Sequence, residues 1–418
     1  MGEGVWIMKI SPFKALTHST FRNIWFAMFV SRIGTEMQNV AINWHIYTLT
    51  KSPFALGLIG LFRIAPIILF SLLGGIVADH VNRKKLLLVT QFLSLLFAGI
   101  LTIVTFQKIN NITFLYILIA LNASITAFDN PARQSMFPHL VPKEDFMNAV
   151  SLNSISYQAS LIFGPAVGGF VIAYFGVGSN YLCNAVSFIG VIFALLSLSI
   201  PHIPSSENTL SLDGLKKGIR FVKHTPLLWS TMFLDFFATL FGSAMILMPI
   251  FATEILHVGP KGLGFLYAAP SIGAIVTGLI FSSLGKTRGQ GKTLFIGIVL
   301  YAFATIIFGL STFFFLSLLA LFFVGAGDMI SSIIRNTLRQ MITPDKLRGR
   351  MISINMIFYM GGPQLGELES GLLASFIGAP LTVAIGGIGT ILAAVFMMKI
   401  VPSLRKYDNH ENTIINTE

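Results

Sequence analysis

GGIVADHVNRKK, residues Gly74 to Lys85, decides how this 418-residue chain is read, because it sits between two long apolar runs and packs a helix end, a turn and a basic cluster into a dozen positions. Glycines at the end of an apolar helix let a neighbouring helix come close, and Asn82 is a residue that tolerates the left-handed conformation of a helix-ending turn. Arg83, Lys84 and Lys85 are costly to carry across a bilayer, so they hold this loop on the cytoplasmic side. On these grounds alone the loop is either a topology anchor or part of a moving gate.

Composition sets the wider frame. With 54% hydrophobic and 11% charged residues, and a mean hydropathy of +0.78, the chain lacks the polar surface that a soluble globule of this length needs. The reading is an integral membrane protein. A net charge of +11 invites nucleic acid as a partner. However, the charges lie in short loops between apolar runs of bilayer-spanning length, so the expected partners are the lipid bilayer and a small-molecule substrate, with no nucleic acid and a monomeric state. Cys183 is the only cysteine, which excludes an intrachain disulfide and a thiolate metal cluster. No metal site is expected. Met1 to Ser19 has no apolar stretch of the kind a cleavable signal carries.

The apolar runs predict an all-α membrane fold of twelve spans, at 22–48, 53–78, 84–106, 112–134, 146–175, 180–200, 226–250, 260–283, 293–310, 313–338, 350–375 and 379–400. Ser52-Pro53 and Thr225-Pro226 read as helix starts. An even number puts both termini on one side, and charge selects the cytoplasmic side. The outer loops then hold only Lys51, Lys108 and Lys261 of the 28 Lys and Arg residues.

A repeat divides the chain. PKEDFMNAVSLN, from Pro142 to Asn153, aligns with PDKLRGRMISIN, from Pro344 to Asn355, at an offset of 202 residues, and Arg133-Gln134 aligns with Arg339-Gln340 at 206. A weaker echo of the opening loop starts at Gly278, offset by 203. Two six-helix halves follow, residues 1–200 and 226–402, with a cytoplasmic linker at 201–225 and a polar cytoplasmic tail at 403–418. Leu212 to His224 reads either as an amphipathic helix on the inner membrane surface or as a solvated linker.

Polar residues within the spans carry the functional reading, since a charge at mid-bilayer costs about 2.5–3.5 kcal/mol on insertion scales. Arg32, Glu36, Asn39 and Asn43 share one face of span 1, and Asn122, Thr126, Asp129 and Arg133 share one face of span 4. Span 7 repeats the pattern with Thr231, Asp235 and Thr239, and span 10 with Asp328, Arg335 and Arg339. Each stripe also has a plain structural account. Arg32 with Glu36 and Asp129 with Arg133 are i,i+4 pairs that neutralise each other, and Asp328 is placed to pair with Arg335. Arg63, beside Pro66 in span 2, is expected to pair with Glu36. Asp235 falls at the repeat position of Arg32, so the halves would present complementary charges across a cavity. Glu367 and Glu369 in span 11 lie two residues apart, so only one of them can face that cavity. Gly164-Pro165 in span 5 serves close helix packing, and the proline frees a carbonyl that packing must satisfy again.

Gly75, Asp79, Arg83, Lys84 and Lys85 resemble the cytoplasmic loop signature of the major facilitator superfamily, with His80 and Asn82 where that family prefers Arg and Gly. The string from Gly164 to Gly169 resembles the fifth-helix signature of its drug and proton antiporters. The run from Phe21 to Gly60, Asp129 to Gln134 and Pro344 to Met351 look like bacterial efflux members related to the enterobactin exporter and macrolide efflux proteins. The resemblance implies a secondary transporter of the bacterial cytoplasmic membrane that exports a siderophore, drug or other metabolite by alternating access. It implies no bound cofactor: a proton gradient, or a sodium gradient in its place, drives the cycle. Asp79 would meet the start of span 11 around Arg348 and Arg350 at an inner gate, with Glu36, Asp235 and Glu367 as proton carriers. Import on the same fold is the alternative. An enzyme is not expected, because Gly289 to Lys292 lacks the spacing of a phosphate loop and no metalloprotease or nucleophile-elbow motif is present.

Overall fold

The computed structural model describes residues 13–136, 140–198, 219–284 and 289–408. The long helices are α1 (Ser19–Thr50), α2 (Pro53–His80), α3 (Arg83–Phe106), α4 (Ile112–Met136), α5 (Phe146–Phe175), α6 (Val177–Leu196), α7 (Pro226–Phe241), α8 (Gly259–Leu284), α9 (Gln290–Leu310), α10 (Phe314–Ile342), α11 (Asp345–Ile377) and α12 (Ala379–Ile400). Among the described residues, ten helical segments are long and apolar enough to cross a membrane. They coincide with the expected spans other than the first and the eleventh. Those two form α1 and α11, of 32 and 33 residues, long enough to span but carrying the polar stripes that lower their hydropathy.

Helix ends follow local chemistry. Ser52 accepts a hydrogen bond from the Ala55 backbone N–H at 3.3 Å, and Pro53 follows at the first helical position. Asn82 does not take the left-handed conformation expected of it: at φ −56° it caps α3, accepting from the Lys85 N–H at 3.2 Å. The helix ends without a left-handed residue because Val81, extended, receives its last turn. Single glycines join α5 to α6 and α11 to α12, Gly176 and Gly378, each at φ 82°. Few other residues tolerate that backbone, and the two stand 202 residues apart, the repeat offset. Lys51 and His257, at φ 50° and 51°, recur at the offset of 206.

Span 7 is not the single helix expected over 226–250. α7 stops at Phe241, and a 3₁₀ turn, a short helical piece and a π-helical stretch carry the chain on to Ile255. At the break the Gly242 carbonyl accepts from the Tyr301 hydroxyl at 3.2 Å, and Ser243 Oγ donates to the Pro363 carbonyl at 3.1 Å. Neighbouring side chains satisfy the backbone that the interruption exposes. Of the stretch Leu212 to His224, residues 212–218 lie outside the described residues, and 219–224 are helical.

The core shows how the halves meet. At the end away from the chain termini one apolar cluster joins both halves, including Val40, Ile46, Leu56 and Tyr181 with Phe251, Leu266 and Phe308. At the end carrying the termini each half has its own cluster, one around Phe21, Leu87, Met136 and Leu195, the other around Leu227, Leu294, Leu338 and Met397. Among the described residues an apolar cluster bridges the halves at the far end and none does at the terminal end, so the far end is closed and the terminal end divided. Small residues set the closure. A Cβ on Gly57 would lie 2.8 Å from Gly371 Cα, where α2 crosses α11, and one on Gly264 would lie 2.7 Å from the Pro165 carbonyl oxygen, where α8 crosses α5.

Candidate functional site: polar networks between and within the halves

The α2–α11 crossing positions the first network. Because Gly60 has no side chain, the Glu367 Cβ comes within 2.8 Å of where a Cβ there would stand, and the carboxylate reaches Arg63. Arg63 Nη1 lies 3.5 Å from Glu367 Oε1, and its Nη2 donates to Asn39 Oδ1 at 3.4 Å. Asn39 Nδ2 donates to Glu36 Oε2 at 3.2 Å. The expected Arg63–Glu36 pair is therefore corrected: Glu367 of the other half takes the guanidinium, and Glu36 is reached only through Asn39. Glu369, half-buried, accepts from its neighbour Ser370 at 3.3 Å. Further along α1, Asn43 donates to the Tyr267 hydroxyl at 2.9 Å, which donates to the Met245 carbonyl at 2.8 Å, and the Tyr47 hydroxyl meets the Glu254 carboxylate. Of these contacts, Arg63–Glu367, Asn43–Tyr267 and Tyr47–Glu254 join the halves.

Within the first half the stripes of α1 and α4 face one cavity of about 220 Å³, shared with α3, α5 and α6. Arg32, Glu36, Asn122, Thr126, Asp129 and Arg133 line it. Arg32 and Glu36 do not neutralise each other. Arg32 Nη1 instead donates to Ser156 Oγ at 2.8 Å and to the Asn153 carbonyl at 3.2 Å on α5. Asp129 is fully engaged: it accepts from Arg133 Nη2 at 2.8 Å and Nε at 3.0 Å, and from Thr90 Oγ1 and Gln91 Nε2, each at 2.7 Å. Its expected pairing with Arg133 is present. Ser160 of α5, which stands where the fifth-helix signature usually has a further Gly, also lines the space, as do Gln91 and Ser94 of α3, Tyr157 of α5 and Asn184 of α6, which no reading of the sequence singled out. The signal was there: Asn180, Asn184 and Ser187 share one face of α6, as do Thr90, Gln91 and Ser94 of α3.

The second half closes the equivalent space. Asp235 Oδ1 lies 3.0 Å from Arg335 Nη2, and its Oδ2 lies 3.2 Å from Arg339 Nη2. Arg339 also donates to the Thr231 carbonyl at 2.8 Å and Arg335 to Ser331 Oγ at 2.6 Å. Asp328 approaches Arg335 at 3.6 Å with its side chain 54% exposed. Only about 10 Å³ remains beside Tyr301, Asp328 and Arg335, no more than one water occupies. Asp235 therefore does not face Arg32 across a cavity, since two arginines of its own half hold both its oxygens. At the repeat offsets Arg32 matches Asp235 and Asp129 matches Arg335, so the two halves carry the same pair with opposite signs. In one half it is joined, and in the other a cavity separates it.

The remaining expected residues fall at the helix ends and the α5 crossings. A Cβ on Gly164 would strike Glu36, so this glycine seats α5 on α1. Pro165, lacking an N–H, frees the Leu161 carbonyl, which accepts from Ser271 Oγ of α8 at 3.4 Å. Lys84 Nζ donates to the Leu198 and Leu196 carbonyls at 2.5 and 3.2 Å, pinning the end of α6 to the start of α3, where Arg83 stands as the first residue. The side chains of Asp79, Arg348 and Arg350, and the environment of Gly75, lie outside the described residues.

This architecture is that of a membrane transporter built from two helical halves around polar networks. Its overall fold matches a bacterial homologue of the human lysosomal transporter Spinster in an inward-facing, unoccupied conformation, with a TM-score of 0.71 at 14% identity, over 93% of this chain and 96% of the other. The nucleoside transporter NupG gives a TM-score of 0.74 at 13% identity, over 91% and 100% of the two chains. The transmembrane secretion effector family matches residues 10–416, and the chain belongs to this family of the major facilitator superfamily. Its members are transporters, not enzymes. The enterobactin exporter of Citrobacter koseri is 25% identical over 413 residues, 97% of each chain, and that of Escherichia coli O81 is 24% identical over the same share. The chain is a multi-pass protein of the bacterial cytoplasmic membrane that handles a small molecule.

Proposed function

We propose that the chain exports a small organic molecule by alternating access, coupled to inward movement of protons, with its termini cytoplasmic and α1 and α11 crossing the membrane as the first and eleventh of twelve spans. It works as a monomer with no bound cofactor. The positive-inside distribution of Lys and Arg supports the orientation, which makes the divided end the cytoplasmic one and this state inward-open. The relatives named as enterobactin exporters support the direction.

The observation that carries the coupling is the Glu36–Asn39–Arg63–Glu367 network, which spans both halves. An ionised Glu367 holds α11 to α2 through Arg63 and keeps the outer end shut. Outward opening pulls this pair apart. The freed carboxylate takes a proton from outside, and a neutral acid returns to the interface at lower desolvation cost than a charged one. The proton leaves inward when Arg63 recovers its partner. Glu36, whose hydrogen-bond partner is the neutral Asn39, is the second carrier. Asp235 is withdrawn from that role, since both its oxygens are occupied by guanidinium groups. Asp79 and the segment from Arg348 to Arg350 form the inner gate, and residues 201–225 link the halves.

The test compares small molecules in the cells and spent medium of strains with and without the protein. Export requires a compound that accumulates in cells and disappears from the medium when the protein is removed. A compound left unconsumed in the medium would refute export.

A further inference from the structure

Most of the side chains around the cavity in the first half are polar, whereas sites for drug-sized ligands are lined mainly by apolar and aromatic groups and measure about 300–1,000 Å³. At about 220 Å³ the space falls below the range of such sites, so it suits one polar part of a ligand. Its charges also balance in kind, with Arg32 and Arg133 facing Glu36 and Asp129. Among the described residues one buried side-chain atom of the wall stands without a partner. Gln91, 2% exposed, spends its Nε2 on Asp129, while its Oε1 has no hydrogen-bond partner. A buried carbonyl oxygen without a donor is destabilising, and an occupant carrying an N–H or O–H would relieve it. Arg32 offers the opposite function, because its guanidinium, held at Nη1 by Ser156 and the Asn153 carbonyl, lines the cavity as a donor.

We infer that this cavity is a binding site for a net-neutral, hydrogen-bond-rich group, either an amide, a polyol or a zwitterion, read by Gln91 as acceptor and Arg32 as donor. The inference rests on the transporter reading and names the part of the substrate that the first half holds. Among the described residues of the second half, Asp235 and Arg335 are joined and leave only about 10 Å³ at the equivalent place. A lipophilic cation finds neither an apolar wall nor a surplus of negative charge here.

The test uses the purified full-length protein with its only cysteine replaced, Cys183→Ser, and a reporter introduced on the cavity wall, Ser94→Cys. A charged methanethiosulfonate reagent should modify residue 94. Glycylglycine or methyl glucoside, at about ten times its half-saturating concentration, should slow the reaction about tenfold, and tetraphenylphosphonium should not. Gln91→Leu should abolish the protection while leaving unprotected labelling intact. If that variant does not fold, Asn122→Leu, on the α4 wall of the same cavity, gives the same readout. No labelling, no protection by either hydrophilic probe, or stronger protection by tetraphenylphosphonium would overturn the inference. Protection without any export in cells would retain the site and refute the export reading; export without protection would do the reverse.

Discussion

Replacing Asp235 by Asn isolates the electrostatics of the second half. Asp235, Arg335 and Arg339 have side-chain exposures of 7%, 3% and 3%, and the carboxylate touches both guanidinium groups at 3.0 and 3.2 Å. Asn keeps the shape and an acceptor oxygen but removes the charge, leaving two buried cations against each other. Breaking a buried pair by removing one partner costs about 3–5 kcal/mol. For a unit of roughly two hundred residues, each kcal/mol corresponds to about 2–4 °C, so the melting temperature should fall by roughly 6–20 °C. Asp328 provides the internal control. It meets the same Arg335, but at 3.6 Å and with its side chain 54% exposed, so Asp328→Asn should cost no more than about 1 kcal/mol. The assay is thermal unfolding of the purified protein followed by the monodisperse fraction on size exclusion. A melting point for Asp235→Asn within about 2 °C of the parent, or equal losses for the two variants, would refute the argument. A fully stable Asp235→Asn protein that no longer couples transport to protons would restore Asp235 as a carrier.

Glu367→Gln and Glu36→Gln should each reduce proton-driven transport by at least about tenfold, read on protein that still elutes as a monodisperse peak on size exclusion. Undiminished transport in both would remove the coupling scheme. Gly60→Leu places a side chain against the Gln364 carbonyl oxygen and Glu367, so it should wedge the outer end apart and lengthen the distance between spin labels at Lys51 and His257; an unchanged distance would refute the role of this crossing. At the terminal end, Lys14 and His18 contact Asp145 at 2.9 and 2.8 Å, and the Ala15 N–H donates to Asn148 Oδ1 at 2.8 Å. Asp145→Asn should therefore make the segment from Lys14 to Thr17 easier for protease to cut, with transport unaffected.

The class of this protein was legible in its sequence because bilayer physics acts on one segment at a time. Apolar runs of spanning length, basic loops and a repeat near 202–206 residues are local properties, and a lone span 11 or span 1 could be read as helix despite its polar face. Face assignments were legible for the same reason: periodicity alone put Arg32 with Glu36 and Asp129 with Arg133. Partner choice was not. Arg63 goes to Glu367, 304 residues away, because glycines at 57, 60 and 371 let α2 and α11 touch, and no spacing rule carries that distance. Asp235 lies 104 residues from Arg339 and turns inward to it instead of across the molecule toward Arg32. The break after Phe241 escaped notice because its composition stays apolar, and only Tyr301 and Pro363 reveal how its backbone is satisfied. The sequence by itself thus determined how many charges lie within the spans and on which helical faces they fall; which of them meet, and where a cavity is left between them, was decided by helix crossings, since these depend on contacts between segments far apart in the chain.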